Sequence, residues 1–201
     1  MSILRTDLKV ICDIVQPGAK VLDIGCGDGE LLKALKSQKN VSGRGIELAQ
    51  ANVSAGLAAG LSVMQGDADT DLLHYPSDSF DYAILTQTLQ ATKHPELILK
   101  ETLRIARHTI VALPNFGYWK NRLQLLLDGK MPVTKKLSYE WYETPNIHFC
   151  TLRDFVALTG KLGIKIEKSL AITAANKIIR FHGTSTRANL FGELGIFLLS
   201  R

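Results

Sequence analysis

Three glycines at alternating positions follow a short apolar stretch near the start of the chain. The stretch 21–24 is apolar apart from Asp23, and Gly25, Gly27 and Gly29 come directly after it. Glycine has no Cβ, so the backbone can turn sharply there or lie close against a ligand. The residues that follow begin a predicted helix, whose N-terminus favours nucleotide binding. This pattern predicts a strand, a turn and a helix that together hold a nucleotide.

The spacing of the glycines indicates which nucleotide. A dinucleotide fingerprint reads G-x-G-x-x-G and places a pyrophosphate at the helix N-terminus. Here the pattern is G-x-G-x-G, and Glu30 stands where the fingerprint has its third glycine. An acidic side chain there repels a pyrophosphate, whereas Asp23 can offer negative charge to a cationic amino-acid group. The pattern favours S-adenosylmethionine over NAD; a simple tight turn is the alternative.

Two further carboxylates follow predicted strands. Glu47 ends a predicted strand from Ser42, about 20 residues after the first glycines, where an acidic side chain can bind both ribose hydroxyls. Asp67 follows a third predicted strand and can accept from an adenine amino group, while the N–H of Ala68 reaches the ring. Each carboxylate alone is more typical of a solvated loop, so the series of strand ends is what indicates one adenosine site.

The motifs VLDIGCGDG, GRGIEL, QGDAD, FDYAIL and TIVALPN occur in this order over residues 15–113. As a series they resemble the class I S-adenosylmethionine-dependent methyltransferases. The segments QGDADTDL, FDYAILTQTLQ and GELGIFLLSR, with the long stretch from LPNFGYWK to TLRDF, are similar to the methionine-biosynthesis protein W (MetW) family over nearly the full length. That resemblance implies a role beside a MetX-like homoserine O-acetyl- or O-succinyltransferase, and does not by itself imply methyl transfer.

The predicted ligand is S-adenosylmethionine or S-adenosylhomocysteine, and no metal site is predicted. The predicted cofactor-binding residues lie at or just after the ends of strands: Asp23, Gly25, Cys26, Gly27, Glu47, Leu48, Asp67, Ala68 and Thr86.

Strands and helices alternate along the chain, which predicts a doubly wound, Rossmann-like α/β sheet. Seven strands are expected in a single domain over residues 1–201. The resemblance implies that the last strand, Leu194 to Leu199, runs antiparallel between the fifth and sixth. The stretch that contains Lys177, Arg180, His182 and Arg187 is predicted to be a polar, hairpin-like connection that is solvated.

Residues 114–150 interrupt this alternation with an insertion rich in aromatic and basic residues. Long connections in compact domains are often lids or binding surfaces, and both remain open here. The stretch 121–127 predicts a short helix, with Leu123, Leu126 and Leu127 expected to lie on the core.

Partner binding by this insertion is predicted to rest on Tyr118, Trp119, Trp141 and Tyr142, which are residue types that dominate interface energies. Lys135 and Lys136 are expected to steer the partner's association. The alternative for the two tryptophans is that they cover the ligand cleft or fill the core.

No catalytic residue is assigned. Small-molecule methyltransferases with a related segment often have a histidine where this chain has Ala91. None of the five histidines is a better candidate: His94 is expected to cap a helix or line the cleft, His148 to lie beside the aromatic residues of the insertion, and the other three to lie in loops. Gln87 and Gln90 are expected to be neutral residues of the pocket. Two functions stay open: a ligand-binding partner subunit of the acyltransferase, and a methyltransferase that acts on a small metabolite. An RNA substrate is less favoured because no RNA-binding motif accompanies the basic residues.

Composition agrees with one globular domain. The chain has 201 residues, 46% of them hydrophobic, and a formal net charge of +5. No apolar run reaches the ~18 residues needed to cross a bilayer, and the first residues do not resemble a secretion signal, so a cytoplasmic protein is expected. The three cysteines show no C-x-x-C spacing, which argues against a disulfide framework or a zinc site.

Overall fold

Eight strands form one mixed sheet in the computed structural model, which describes residues 4–134 and 137–201. The strands are β1 (Lys20–Ile24), β2 (Ser42–Glu47), β3 (Val63–Gln65), β4 (Phe80–Thr86), β5 (Ala106–Pro114), β6 (Lys165–Thr173), β7 (Ile178–Phe181) and β8 (Gly192–Ser200). The helices are α1 (Thr6–Ile14), α2 (Glu30–Lys39), α3 (Gln50–Ala58), α4 (Ala68–Asp71), α5 (Pro95–Ile105), α6 (Trp119–Asp128), α7 (Leu152–Lys161) and α8 (Thr186–Phe191).

The strands lie in the order β3-β2-β1-β4-β5-β8-β6-β7, and β1 to β5 are parallel. The apolar residues of β1 are almost completely buried, as expected for a strand covered on both faces by helices. From β1 the chain winds outward to β2 and β3, and then returns to the other side of β1 with β4. The carboxyl ends of β1, β2 and β4 therefore meet at the point where the strand order reverses, which is where ligands bind in open α/β sheets.

The predicted fold class and the antiparallel last strand are confirmed, because β8 lies between β5 and β6 and pairs antiparallel with both. The predicted number of seven strands is wrong. The additional strand, β7, lies within the stretch predicted to be a polar connection, and it pairs with β6 from Ile172 with Ile178 to Ser169 with Phe181. It is a four-residue edge strand with Arg180 in its interior, so its apolar pattern is too short to stand out.

Helix α6 confirms the predicted helix in the insertion but contradicts the expectation for its leucines. Leu123 is 43% exposed, Leu126 79% and Leu127 71%. The buried residue of this helix is Asn121 instead. Within the described ranges, no helix is both long and apolar enough to cross a membrane.

The insertion is attached to the sheet by buried asparagines. The Asn115 side chain donates to the carbonyls of Asn189 and Gly192, both at 2.8 Å, and accepts from the N–H of Gly117 at 2.9 Å and of Leu152 at 3.2 Å. These bonds join the end of β5 to the first turn of the insertion, the start of α7 and the segment before β8. One amide thus holds together both ends of the insertion.

We predict that Asn115→Ala destabilises the fold by about 2 to 5 kcal/mol, because it leaves buried backbone groups without partners. Denaturant unfolding followed by circular dichroism measures the change. Gln50→Ala, which removes an exposed amide from the first turn of α3, is the control and should change stability by less than about 0.5 kcal/mol. A similar small change for Asn115→Ala would show that the amide network is dispensable.

Candidate functional site

The loop after β1 is held directly against the end of β2. The backbone N–H groups of Gly25 and Cys26 both donate to the carbonyl oxygen of Ile46, at 2.8 and 3.1 Å. The next residue of β2 is Glu47, whose carboxylate accepts from the N–H of Gly27 at 2.8 Å. The predicted glycine turn and the predicted ribose carboxylate are therefore in contact.

Gly25 and Gly27 adopt positive φ angles for different reasons. Gly25 has φ of 70°, and a Cβ there would lie 2.4 Å from the Thr88 hydroxyl oxygen. Gly27 has φ of 56°, and a Cβ there would meet no atom within 4 Å. The first glycine lets the loop pack against the segment after β4, whereas the second leaves open space above the loop. That space is where a ligand can approach the backbone closely.

Both oxygens of Glu47 are oriented by the chain itself. One accepts from Gly27, and the other accepts from the N–H of Ala49 at 2.9 Å and from the Asn52 amide at 3.4 Å. The side chain is only partly buried. A carboxylate has about four acceptor positions, so this one can take further hydrogen bonds while it stays fixed.

Asp23 is a buried carboxyl group beside Glu47. It is 1% exposed, and among the described residues its Oδ1 has no hydrogen-bond partner. Burial, together with the charge of Glu47, raises the pKa of this carboxyl to about 7. A cationic group brought next to it would favour the charged form and complete its interactions.

The remaining predicted residues of β2 and β3 are placed differently. Leu48 is 66% exposed, directly after β2. The Asp67 side chain accepts from the N–H of Asp69 at 2.9 Å, and it thereby caps the one-turn helix α4, which begins at Ala68. In addition, the N–H of Asp67 donates to the Asp71 carboxylate at 2.9 Å. The capping bonds orient Asp67 at the edge of the sheet.

Cys26 lies in the loop with an unreactive thiol. It is 8% exposed, and burial, with contributions from Asp23 and Glu47, raises the pKa of the thiol to about 12. The thiolate is the nucleophilic form of cysteine, so Cys26 fills space at neutral pH and does not attack a substrate.

The segment after β4 contains a contact that the sequence did not predict. The Thr88 hydroxyl donates to the carbonyl of Ile24 at 2.9 Å, which ties this segment to the end of β1. Thr86, a predicted site residue, has a buried hydroxyl with no partner among the described residues. No sequence signal distinguishes Thr88 from Thr86, whose hydroxyl lies at the end of β4.

Gln90 links this segment to the insertion. It is 4% exposed, and its amide donates to the carbonyl of Gln87 at 2.7 Å and to the side-chain oxygen of Asn146 at 3.1 Å. The backbone carbonyl of Gln90 accepts from the N–H groups of Ile147 and His148 at 3.1 and 3.0 Å. The end of the insertion is therefore bonded to the same segment that Thr88 joins to the end of β1.

Gln87 is held in an unusual backbone conformation. Its φ is 58°, in the left-handed region that residues other than glycine seldom adopt. Its side-chain amide donates to the buried Asp7 carboxylate at 3.4 Å. The predicted pocket glutamines thus differ: Gln87 faces α1, and Gln90 faces the insertion.

A mainly apolar cavity of about 290 Å³ lies between the segment after β4 and the end of the insertion. Its walls include Leu89, Gln90, Leu113, His148 and Phe149. The Oε1 atom of Gln90 is buried and has no partner among the described residues. This cavity has the size and polarity of a site for a small, mostly apolar molecule.

We predict that Asp23 makes the fold less stable as the pH rises. Its pKa is about 7 in the folded chain and about 3.9 when unfolded, so the protonated form is favoured by folding. The stabilisation is complete below about pH 4 and is lost as pH rises to about 7, at up to ~1.4 kcal/mol per pH unit. Chemical unfolding of the wild type and of Asp23→Asn, whose amide cannot ionise, should diverge over this range. Parallel profiles would mean that Asp23 ionises normally.

Comparisons with known proteins agree with this architecture. The family model for methionine biosynthesis protein MetW matches residues 5–199. A bifunctional methionine biosynthesis protein MetXA/MetW from Rhodopirellula baltica is 35% identical over 176 residues, which are 83% of this chain and 28% of that protein. The chain thus spans just over a quarter of the length of this curated relative.

Solved structures show the same fold at low identity. An S-adenosylmethionine-dependent methyltransferase from Thermotoga maritima aligns with a TM-score of 0.69 at 19% identity, over 97% of this chain and 87% of that one. Another from Mesorhizobium loti aligns with a TM-score of 0.69 at 16% identity, over 98% of each chain. The sheet is therefore that of the class I methyltransferases, and the family match over nearly the whole length shows that this chain belongs to the MetW family of methionine biosynthesis proteins.

Proposed function

We propose that this protein binds S-adenosylmethionine or S-adenosylhomocysteine and acts as the partner subunit of a MetX-like homoserine O-acyltransferase. The observation that carries the proposal is the relative in which MetXA and MetW form one chain. Joining two domains raises their effective concentration, which benefits domains that work in contact. The same association is proposed here between this chain and a MetX-like acyltransferase.

The cofactor part of the proposal is supported by how the loop residues fit the ligand's groups. The space above Gly27 gives a ligand access to the backbone. Glu47 is held by two backbone N–H groups, and it would accept from both ribose hydroxyls once the long 3.4 Å bond from Asn52 is exchanged for one of them. Asp23, whose buried Oδ1 has no partner within the described ranges, would pair with the cationic amino-acid part.

The other residues would surround the adenine and the methyl-bearing sulfur. Asp67 and the N–H of Ala68 would meet the adenine ring, and Leu48 would cover it. Thr86, with its buried hydroxyl, would lie towards the amino-acid part. When bound, S-adenosylmethionine supplies an electrophilic methyl group; the chain's own residues would bind and orient it.

A binding role is supported by the chemistry of the residues near the segment after β4. The position of the usual histidine is Ala91, and Gln87 and Gln90 cannot accept a proton at neutral pH. Burial raises the pKa of the Cys150 thiol, beside the cavity, to about 11, so this cysteine is not a nucleophile either.

The partner part is supported by the exposed aromatic residues of the insertion. Trp141 is 70% exposed and Tyr142 66%, while Trp119 is 38% exposed. Tyr118 differs from the expectation because it is 4% exposed and packs inside the domain. The predicted steering residues Lys135 and Lys136 lie outside the described residues.

A second function, methyl transfer to a small metabolite, is favoured by the cavity at the ends of β4 and β5. Methyl transfer can proceed by proximity and alignment without a general base. Incubation of the protein with labelled S-adenosylmethionine and a metabolite extract tests it. Turnover that requires this protein would establish the enzyme, whereas binding without turnover supports the partner subunit.

We predict that Glu47→Ala weakens binding of S-adenosylhomocysteine at least tenfold, since it removes up to two charge-assisted hydrogen bonds of about 1.5 to 3 kcal/mol each. Calorimetric titration measures the affinity, and circular dichroism checks that the variant is folded. Glu143→Ala, an exposed carboxylate in the insertion, is the control and should bind as the wild type does. Equal affinities for both variants would place the adenosine elsewhere.

We also predict that this protein forms a complex with the MetX-like acyltransferase of the same organism and raises its rate of homoserine acylation. Size-exclusion chromatography with light scattering detects the complex, and an assay of acyl-homoserine formation with and without added protein measures the effect. The Trp141→Ala variant should bind at least tenfold more weakly, because truncating a central aromatic residue costs about 2 kcal/mol or more. Separate elution together with an unchanged rate would refute the partnership.

A further inference from the structure

Helix α6 turns its apolar side away from its own domain. Trp119, Leu123, Leu126 and Leu127 follow the i, i+4, i+7, i+8 spacing of one helix face. All four are exposed, from 38% for Trp119 to 79% for Leu126. We call these four residues the α6 stripe.

The opposite side of the helix holds it in place with polar contacts. Asn121 is 4% exposed, and its amide donates to the carbonyl of Asn115 at 3.2 Å. The helix is thus anchored by a hydrogen bond and presents leucines to water. Because burial of apolar surface is the main stabilising effect in proteins, this orientation is the reverse of that of an ordinary surface helix.

Exposed apolar side chains also occur elsewhere in the insertion, such as Trp141 and Tyr142, whereas the exposed leucines outside the insertion lie on separate elements. Leu57 and Leu73, for example, lie on α3 and in the turn after α4. Isolated residues of this kind are common on protein surfaces, whereas a contiguous stripe marks an interaction site.

Cationic residues border the α6 stripe on both sides. Lys120 and Arg122 are next to the stripe along the first turn of the helix. The Lys120 Nζ atom lies 5.6 Å from the centre of the Trp119 ring. The Arg122 guanidinium donates through Nε to the carbonyl of Gly117 at 2.6 Å, which holds its charge beside the stripe. A complementary surface is therefore an apolar groove with carboxylates at its rim.

From this geometry we infer that the α6 stripe docks as a helix into an apolar, acid-rimmed groove on the homoserine O-acyltransferase. The inference rests on the proposed function for the identity of the partner. The occupant is supported by the fused relative, in which a MetW-like domain and a MetXA domain are parts of one chain. Helix-in-groove recognition uses anchors at this spacing, and the most exposed leucine of the stripe, Leu126, is the main anchor.

The test compares two substitutions of exposed leucines on helices. Leu126→Glu places a carboxylate in the stripe, facing the acidic rim, and should raise the dissociation constant for the acyltransferase at least tenfold. Leu57→Glu makes the same change on α3, where Leu57 is 54% exposed, and should leave the constant unchanged. Calorimetric titration measures both dissociation constants, and binding of S-adenosylhomocysteine to each variant confirms that the candidate site after β1 is intact.

A second measurement reports on the stripe directly. The chain has two tryptophans, so the wild type labelled with fluorotryptophan gives two fluorine NMR signals, and the spectrum of free Trp141→Phe identifies the signal of Trp119. In the wild type, the Trp119 signal should shift and broaden when the unlabelled acyltransferase is added. The signal of Trp119 should not respond to S-adenosylhomocysteine in the same way.

The outcomes separate this inference from the proposed function. If the wild type and Leu126→Glu bind the acyltransferase equally, the stripe is not the docking helix, although the partnership stands. If the wild type itself does not bind, the proposed function fails first. If Leu126→Glu instead abolishes self-association of this chain while complex formation is unchanged, the stripe is covered by a second copy and the inference is overturned.

Discussion

The candidate site depends on three hydrogen bonds made by the end of β1 and the loop that follows it. Two N–H groups of this loop donate to the carbonyl of Ile46, and the carbonyl of Ile24 accepts from the Thr88 hydroxyl. They bring the ends of β2 and β4 to the loop on either side. A side chain at Gly25 would collide with Thr88, so this arrangement requires a residue without a Cβ. The positions of Asp23 and Glu47 follow from it.

These contacts also connect the candidate site to the insertion. The segment after β4 touches the loop of β1 through Thr88 and the insertion through Gln90. Only one residue, Leu89, lies between Thr88 and Gln90 in sequence. At its other end the insertion is held by Asn115 and Asn189. The insertion, whose exposed surface is available for a partner, thus contacts the same short segment that borders the candidate site.

The sequence predicted the parts of the site that depend on local patterns. The glycine spacing and the apolar β1 located the loop, and the strand end at Glu47 located the carboxylate that contacts it. Contacts between residues far apart in sequence could not be predicted, because no local sequence pattern indicates them. Gln87 approaches Asp7 from 80 residues away, and Gln90 meets Asn146 from 56 residues away. These contacts are set by how the sheet brings its edges together.

Helix α6 shows a second limit of prediction from sequence patterns. The leucine spacing predicted a helix correctly, since periodicity reports the face that is apolar. It does not report what covers that face, and Leu126 and Leu127 point away from the core. Strand β7 was missed because a charged residue interrupts a strand of only four residues. An apolar pattern identifies an element reliably only when the element is long and its covering surface belongs to the same chain.

Hydrogen exchange of this protein, measured alone, with S-adenosylmethionine and with the acyltransferase, tests the central claim most directly, because protection reports which backbone amides become ordered or covered. The account predicts that S-adenosylmethionine protects the loop 25–29 and residues 47–49, and that the acyltransferase protects residues 119–128. No protection of the loop by S-adenosylmethionine, or no protection of any segment by the acyltransferase, would contradict it.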